Sequence, residues 1–207
     1  MLLKSRRSLK AQPVVSGVLV AVNVIVFMAA TFYKGALYDM GMLKAVDVLV
    51  KGEYGRILWA VFLHADITHL FNNMFLLFFL GAMIEKEIGH VKYALVYFLS
   101  GIGGNLLSLT AKVMTNDFSA SLGASGAIFG LDGTLLAMVL FSGRKMENVT
   151  PVRVLLMIAY SLYSGFTGAN IDNAAHVGGL LTGFVITALL CGLQHLKQHS
   201  RQSGEQM

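Results

Sequence analysis

From Val14 to Phe32 the chain carries no charged residue, and five further apolar runs follow it: Ile67 to Ile84, Tyr93 to Ala111, Phe118 to Gly143, Val154 to Ile171 and Asn173 to Leu196. Only Asp132 interrupts them with a charge. A helix rises about 1.5 Å per residue, so about 20 apolar residues cross the hydrocarbon core of a bilayer. Six such runs in 207 residues leave little chain for a water-facing surface. Charged residues make up 13% and hydrophobic ones 56% of the chain, whereas a soluble domain is about 25% charged. That composition excludes a soluble enzyme, a disordered tail and a nucleic-acid binder. The single cysteine, Cys191, excludes an intrachain disulfide framework and a Cys-rich zinc site. The expected fold is an all-α polytopic membrane protein, a bundle of six transmembrane helices.

The basic residues orient the bundle. Lys4, Arg6, Arg7 and Lys10 precede the first run, which is too long for the core of a signal peptide and reads as a retained signal anchor. Basic residues accumulate on the cytoplasmic side of membrane spans. With the N-terminus inside, Lys86, Lys92, Arg144, Lys145, Arg153, Lys197 and Arg201 are also cytoplasmic, while Lys34, Lys44, Lys51, Arg56 and Lys112 are outside. Both termini are therefore expected in the cytoplasm. The organisation is a basic N-terminus over 1–13, a membrane domain over 14–196 and a polar tail over 197–207. Residues 33–66 form one long outer connection, expected to lie partly in the interface as short helices. The net charge of +5 serves this topology and calls for no nucleic acid.

Polar groups inside spans are costly and mark functional positions by default. His64, His69 and Asn73 stand at the start of the second span, with His69 and Asn73 one turn apart on one face. Ser125 lies within Gly123-Ala124-Ser125-Gly126 in the fourth. His176 follows Asn173-Ala174-Ala175 near the start of the sixth. The alternating topology sets all three clusters near the outer ends of their helices. A serine hydroxyl becomes a nucleophile when a neighbouring base, usually histidine, accepts its proton. Backbone N–H groups at a helix start lack intrahelical partners and can stabilise an oxyanion, and His69 and Asn73 can add side-chain donors. Gly123 and Gly126 leave room for a peptide backbone. Gly126-x-x-x-Gly130 and Gly179-x-x-x-Gly183 place small faces on the fourth and sixth spans, which permits close helix contact.

Each feature also has a packing explanation. A serine in a span commonly bonds its own helix, and a histidine there commonly bonds a neighbouring helix. Three histidines also suit a metal or, with Asp132, the proton relay of a small transporter. Asp132 lies two turns, about 10 Å, deeper than Ser125 on nearly the same face. That separation is too large for a triad acid and fits a packing or water-holding role.

Taken jointly, His64-x4-His69-x3-Asn73 with Glu85-Lys86, then Gly-Ala-Ser125-Gly, then Ala175-His176-x2-Gly179-x3-Gly183 resemble the rhomboid family of intramembrane serine proteases. The resemblance covers His64 to about Gly183. It implies Ser125 as nucleophile and His176 as general base, with His69 and Asn73 lining an oxyanion hole beside Gly123. It implies structural roles for His64 and Glu85. Phe129 stands where many members carry a tyrosine stacked on the catalytic histidine, and Gly55-Arg56, with Trp59 nearby, stands where they show Trp-Arg. The implied activity is cleavage of transmembrane protein substrates with neither metal nor other cofactor, in a cell membrane expected to be a bacterial plasma membrane. A rhomboid-like protein that escorts membrane clients without cleaving them is the competing class, and its members usually lack the serine or the histidine.

Overall fold

The structure is a computed structural model that describes residues 12–33, 35–142, 149–167 and 171–204, leaving aside the side chains of 164–167 and 194–204. The basic residues 4–10, Lys34, Arg144, Lys145 and residues 168–170 lie outside the described residues.

The described chain is helical and, among those residues, contains no strand. Helix α1 spans Val14–Phe32. The outer connection folds as three short helices, α2 (Ala36–Gly41), α3 (Ala45–Leu49) and α4 (Arg56–Trp59), the last continuing into a 3₁₀ turn at Ala60–Phe62. Next comes a long rod made of α5 (Ile67–Leu76), a π-helical turn (Leu77–Gly81) and α6 (Ala82–Ile88). Asp66 starts the rod by accepting the His69 N–H at 2.8 Å, which satisfies one of the orphan donors of a first turn. Gly89, at φ +84°, supplies the left-handed turn into α7 (His90–Thr115). Helices α8 (Ser125–Phe141), α9 (Pro151–Thr167) and α10 (Asn173–Gly204) complete the bundle.

Among the described residues, four helical stretches are long and apolar enough to cross a membrane: Val14–Phe32, Ile67–Ile88, His90–Thr115 and Asn173–Leu193; α8 and the first part of α9 are shorter apolar helices. The fourth span was expected from Phe118, but its helix begins at Ser125 and has 17 residues, about 25 Å against a core of about 30 Å. The chain ahead of it is extended. Asp117 accepts the Ser119 N–H, and Ser121 exchanges backbone bonds with Leu43 at 2.9 and 3.0 Å. Asp and Ser bonded in this way offer the backbone an alternative to helix. The described part of the fifth helix runs to Thr167, Ile171 is not helical, and α10 continues past Leu196 to Gly204.

Helix α8 is the centre of the bundle. It is apolar on all faces, with Ala127, Ile128, Leu131, Asp132 and Leu135 among its buried residues, as a helix surrounded by others must be. Glycines bring α10 against it. A Cβ on Gly179 would overlap the Gly126 carbonyl oxygen, and one on Gly183 would overlap that of Gly130. Helix α7 closes the third side, where Gly104 would meet the Ala175 carbonyl at 2.6 Å if it carried a Cβ. At the opposite end Glu85, fully buried, caps α1 from another helix. It accepts the N–H groups of Val15 and Ser16 at 2.8 Å each and the Ser16 hydroxyl at 2.7 Å, and it meets His90 Nδ1 at 2.5 Å.

Candidate active site

Three helix starts converge. Ser125 is the first residue of α8, His176 lies in the first turn of α10, and His69 and Asn73 lie in α5. The glycine contact between α8 and α10 sets the first two side by side, with Ser125 Oγ 2.9 Å from His176 Nε2. With its proton on Nδ1, the imidazole accepts from the hydroxyl through Nε2. Phe129, one turn beyond the serine, stacks on the imidazole with ring centres 4.2 Å apart and planes 16° from parallel. The phenyl ring therefore braces the histidine without a hydroxyl. His176 is buried, and its Nδ1 has no hydrogen-bond partner among the described residues. Asp132 is buried deeper in α8 and does not reach that nitrogen. Among the described residues, the hydrogen-bonded unit is Ser125 with His176.

Among the described residues, unpaired donors stand on two neighbouring elements, α8 and α5. The N-cap of α8, Ala124, offers no side-chain cap, so the N–H groups of the first turn are free of intrahelical carbonyls. Asn73 is buried, and its Nδ2 finds no partner among the described residues. A buried amide donor left unpaired costs about 1–3 kcal/mol, which any group that accepts from it would recover. The His69 ring lies against Gly123, where a Cβ would sit 2.9 Å from both Cε1 and Nε2. Gly123, expected beside the oxyanion hole, adopts φ +131°. Its N–H is given to the Ala60 carbonyl at 2.9 Å, and the space where its Cβ would be is bounded by the His69 imidazole.

His64 packs behind this shell, edge to face on His69 with centres 5.1 Å apart, and its carbonyl accepts the Tyr38 hydroxyl at 2.7 Å. Burial chiefly, and the neighbouring His69 next, push the His64 ring down to about 4, so it is neutral at physiological pH. Glu85 is remote from the serine, at the α1 clamp. Among the described residues no group of three His, Cys, Asp or Glu side chains is placed to hold a metal ion.

The sequence reading passed over Asp172. It directly precedes α10, and its Oδ1 accepts the Ala175 N–H at 3.0 Å. An aspartate immediately before an apolar helical run is an N-cap signature, and that cue was available one residue before Asn173.

Comparison with known proteins identifies the family. Residues 51–193 match the family described as the Rhomboid domain. The chain is 37% identical over 171 residues to RHOMBOID-like protein 4 of Arabidopsis thaliana, covering 81% of this chain and 42% of that protein. It is 36% identical over 156 residues to RHOMBOID-like protein 6, mitochondrial, of the same plant, covering 74% and 49%. With rhomboid protease GluP of Bacillus subtilis it shares 34% identity over 147 residues, covering 71% and 28%. The chain spans less than half the length of these three relatives.

Proposed function

Because the chain belongs to the rhomboid family, we propose that it is an intramembrane serine endopeptidase working through a Ser125–His176 dyad. The observation that carries this reading is the 2.9 Å approach of Ser125 Oγ to His176 Nε2 under the Phe129 ring. In the proposed reaction, Oγ attacks the scissile carbonyl carbon while its proton passes to Nε2. The oxyanion that forms is held by the Ser125 N–H, the Asn73 amide and the His69 ring. Collapse breaks the C–N bond, and His176 returns the proton to the leaving amine. Water then attacks the acyl-enzyme with His176 again acting as base, releasing the acid and restoring the serine.

The substrate is a transmembrane segment of another protein that enters sideways and unwinds locally, since a helical peptide bond is shielded and hydrogen-bonded. Helix α9 is the looser wall: Val154 and Ile158 are its buried apolar residues, while Leu155, Leu156 and Tyr160 are exposed. It is one proposed way in, and the loop after Ala169 is the other. The protein sits in a cell membrane as a multi-pass chain, in our reading a bacterial plasma membrane with both termini in the cytoplasm.

The test is reaction with a fluorophosphonate probe and cleavage of a transmembrane substrate, comparing wild type with Ser125→Ala, His176→Ala and Asp132→Asn. The first two variants should neither label nor cleave, and Asp132→Asn should stay within about tenfold of wild type. Labelling that persists in Ser125→Ala would refute the assignment. A ten-thousandfold loss in Asp132→Asn, the order seen when a triad acid is amidated, would replace the dyad with a triad.

A further inference from the structure

Resting on that protease reading, we propose that Asp172 is a positioning residue that ties the base-bearing helix and the nucleophile-bearing segment to one carboxylate. One oxygen and the backbone serve α10: Oδ1 accepts the Ala175 N–H at 3.0 Å, and the Asp172 carbonyl accepts the His176 N–H at 3.2 Å. The other oxygen reaches outside the helix. Oδ2 accepts the hydroxyl of Ser108, from α7, at 2.5 Å, and also the hydroxyl of Ser121. Both serines are buried. Lys112 Nζ lies 4.0 Å from the same oxygen and donates to Ser119 at 2.9 Å, so a cation from α7 closes the junction.

These bonds form a ring around the reactive pair. Asp172 is one helical turn before His176, and Ser121 is four residues before Ser125. The Asp172–Ser121 bond therefore closes a short loop whose far side is the 2.9 Å Ser125–His176 contact. Fixing one side fixes the other. The junction needs an acceptor-only group with several lone pairs, because two hydroxyls and one amide converge on it, and only a carboxylate offers that. The extended segment needs the tie, since it lies outside any helix and meets the outer connection through the Leu43–Ser121 backbone pair. Misplacing a reacting group by about 1 Å can cost about 10² in rate.

The experiment measures kcat and KM on a transmembrane substrate, and the fluorophosphonate labelling rate, for the full chain reconstituted in vesicles. Asp172→Ala should lower kcat about 100-fold, leave KM within about threefold, and slow labelling by the same factor as kcat. Asp172→Asn, which keeps the shape and part of the acceptor capacity, should recover to within about tenfold of wild type. Ser121→Ala should lose about tenfold and add little to Asp172→Ala, because both cut the same tie. Turnover of Asp172→Ala within threefold of wild type, or a loss confined to KM, overturns the assignment. Should that variant fail to fold, Ser121→Ala decides: wild-type kcat there overturns it equally. Failure of the protease reading looks different, since wild type itself would then neither label nor cleave, and the positioning role would fall with it.

Discussion

The bundle's α7–α8–α10 trio and its outer connection are held together by opposite means. In the trio the contacts come from missing side chains: Gly126 faces Gly179 and Gly130 faces Gly183, backbone against backbone. Every helix there already satisfies its own peptide groups, and lipid is as apolar as leucine, so close packing is the remaining driving force. In the outer connection α2, α3 and α4 have six, five and four residues, far below the length at which an isolated helix is stable. Arg56 collects them. Its buried guanidinium donates to Glu53 at 2.6 Å and to the Asp39 and Met42 carbonyls at 2.7 and 3.0 Å, and it lies 3.2 Å from Asp47. Shape suffices where the backbone is self-satisfied. Where carbonyls are left over, a cation is buried to gather them.

That contrast can be broken at its strongest point first. Gly183→Leu drives a side chain into the Gly130 carbonyl, a contact that neither helix backbone can yield. We expect a loss of more than about 4 kcal/mol, at the exceptional end for one substitution, read as a collapse of the folded fraction in detergent. A wild-type unfolding midpoint would show that the trio does not depend on this contact. Arg56→Ala is the next test. It should raise amide hydrogen exchange over residues 36–62 by at least about tenfold, as expected of a region that opens locally, while α8 and α10 keep their protection. Equal acceleration in α8 would mean that the two regions open as one.

The smallest expected effect comes from acid. The Asp47 carboxyl is held below its usual range first by its hydrogen bond to Lys51, then by the charges of Arg56, Lys51 and Lys44, against the opposing effect of burial. A lowered folded value means that its support is complete above the ordinary carboxylate value and is lost as pH falls through the lower one. Exchange over the outer connection should therefore rise only below about pH 4, and stay flat from neutral pH upward. A rise already at pH 6 would point to a different titrating group.

Much of the trio is legible in the sequence because its determinants are local. Gly126-x-x-x-Gly130 and Gly179-x-x-x-Gly183 name their own faces, and each adjoins the residue that the contact brings to the site. Hydropathy also finds most of the spans, but it reads Phe118 as the start of the fourth because Phe118, Ala120 and Leu122 are apolar. The backbone there instead pairs with Leu43, a partner 78 residues away that no local pattern announces. Asp172 escaped for the same reason, since its value lies in meeting Ser108 and Ser121 across the fold. Arg56 was visible as a residue, while the two carbonyls it gathers were not. Gly123 is legible as a place that leaves room, but that the His69 ring lies against it, and that its N–H goes to Ala60, depends on how distant segments come to rest.

The π-helical turn at Leu77–Gly81 carries a consequence for phase. In an unbroken α-helix each residue advances about 100°, so Glu85, twelve residues after Asn73, would point about 120° away from it. One residue absorbed by a wider turn leaves eleven effective steps, and the angle shrinks to about 20°. Both side chains can then face inward, where both are buried and Glu85 reaches the start of α1. The rod thus behaves as two helices spliced out of register, so that deleting a single residue from the turn would rotate one end relative to the other while leaving hydropathy and length almost unchanged.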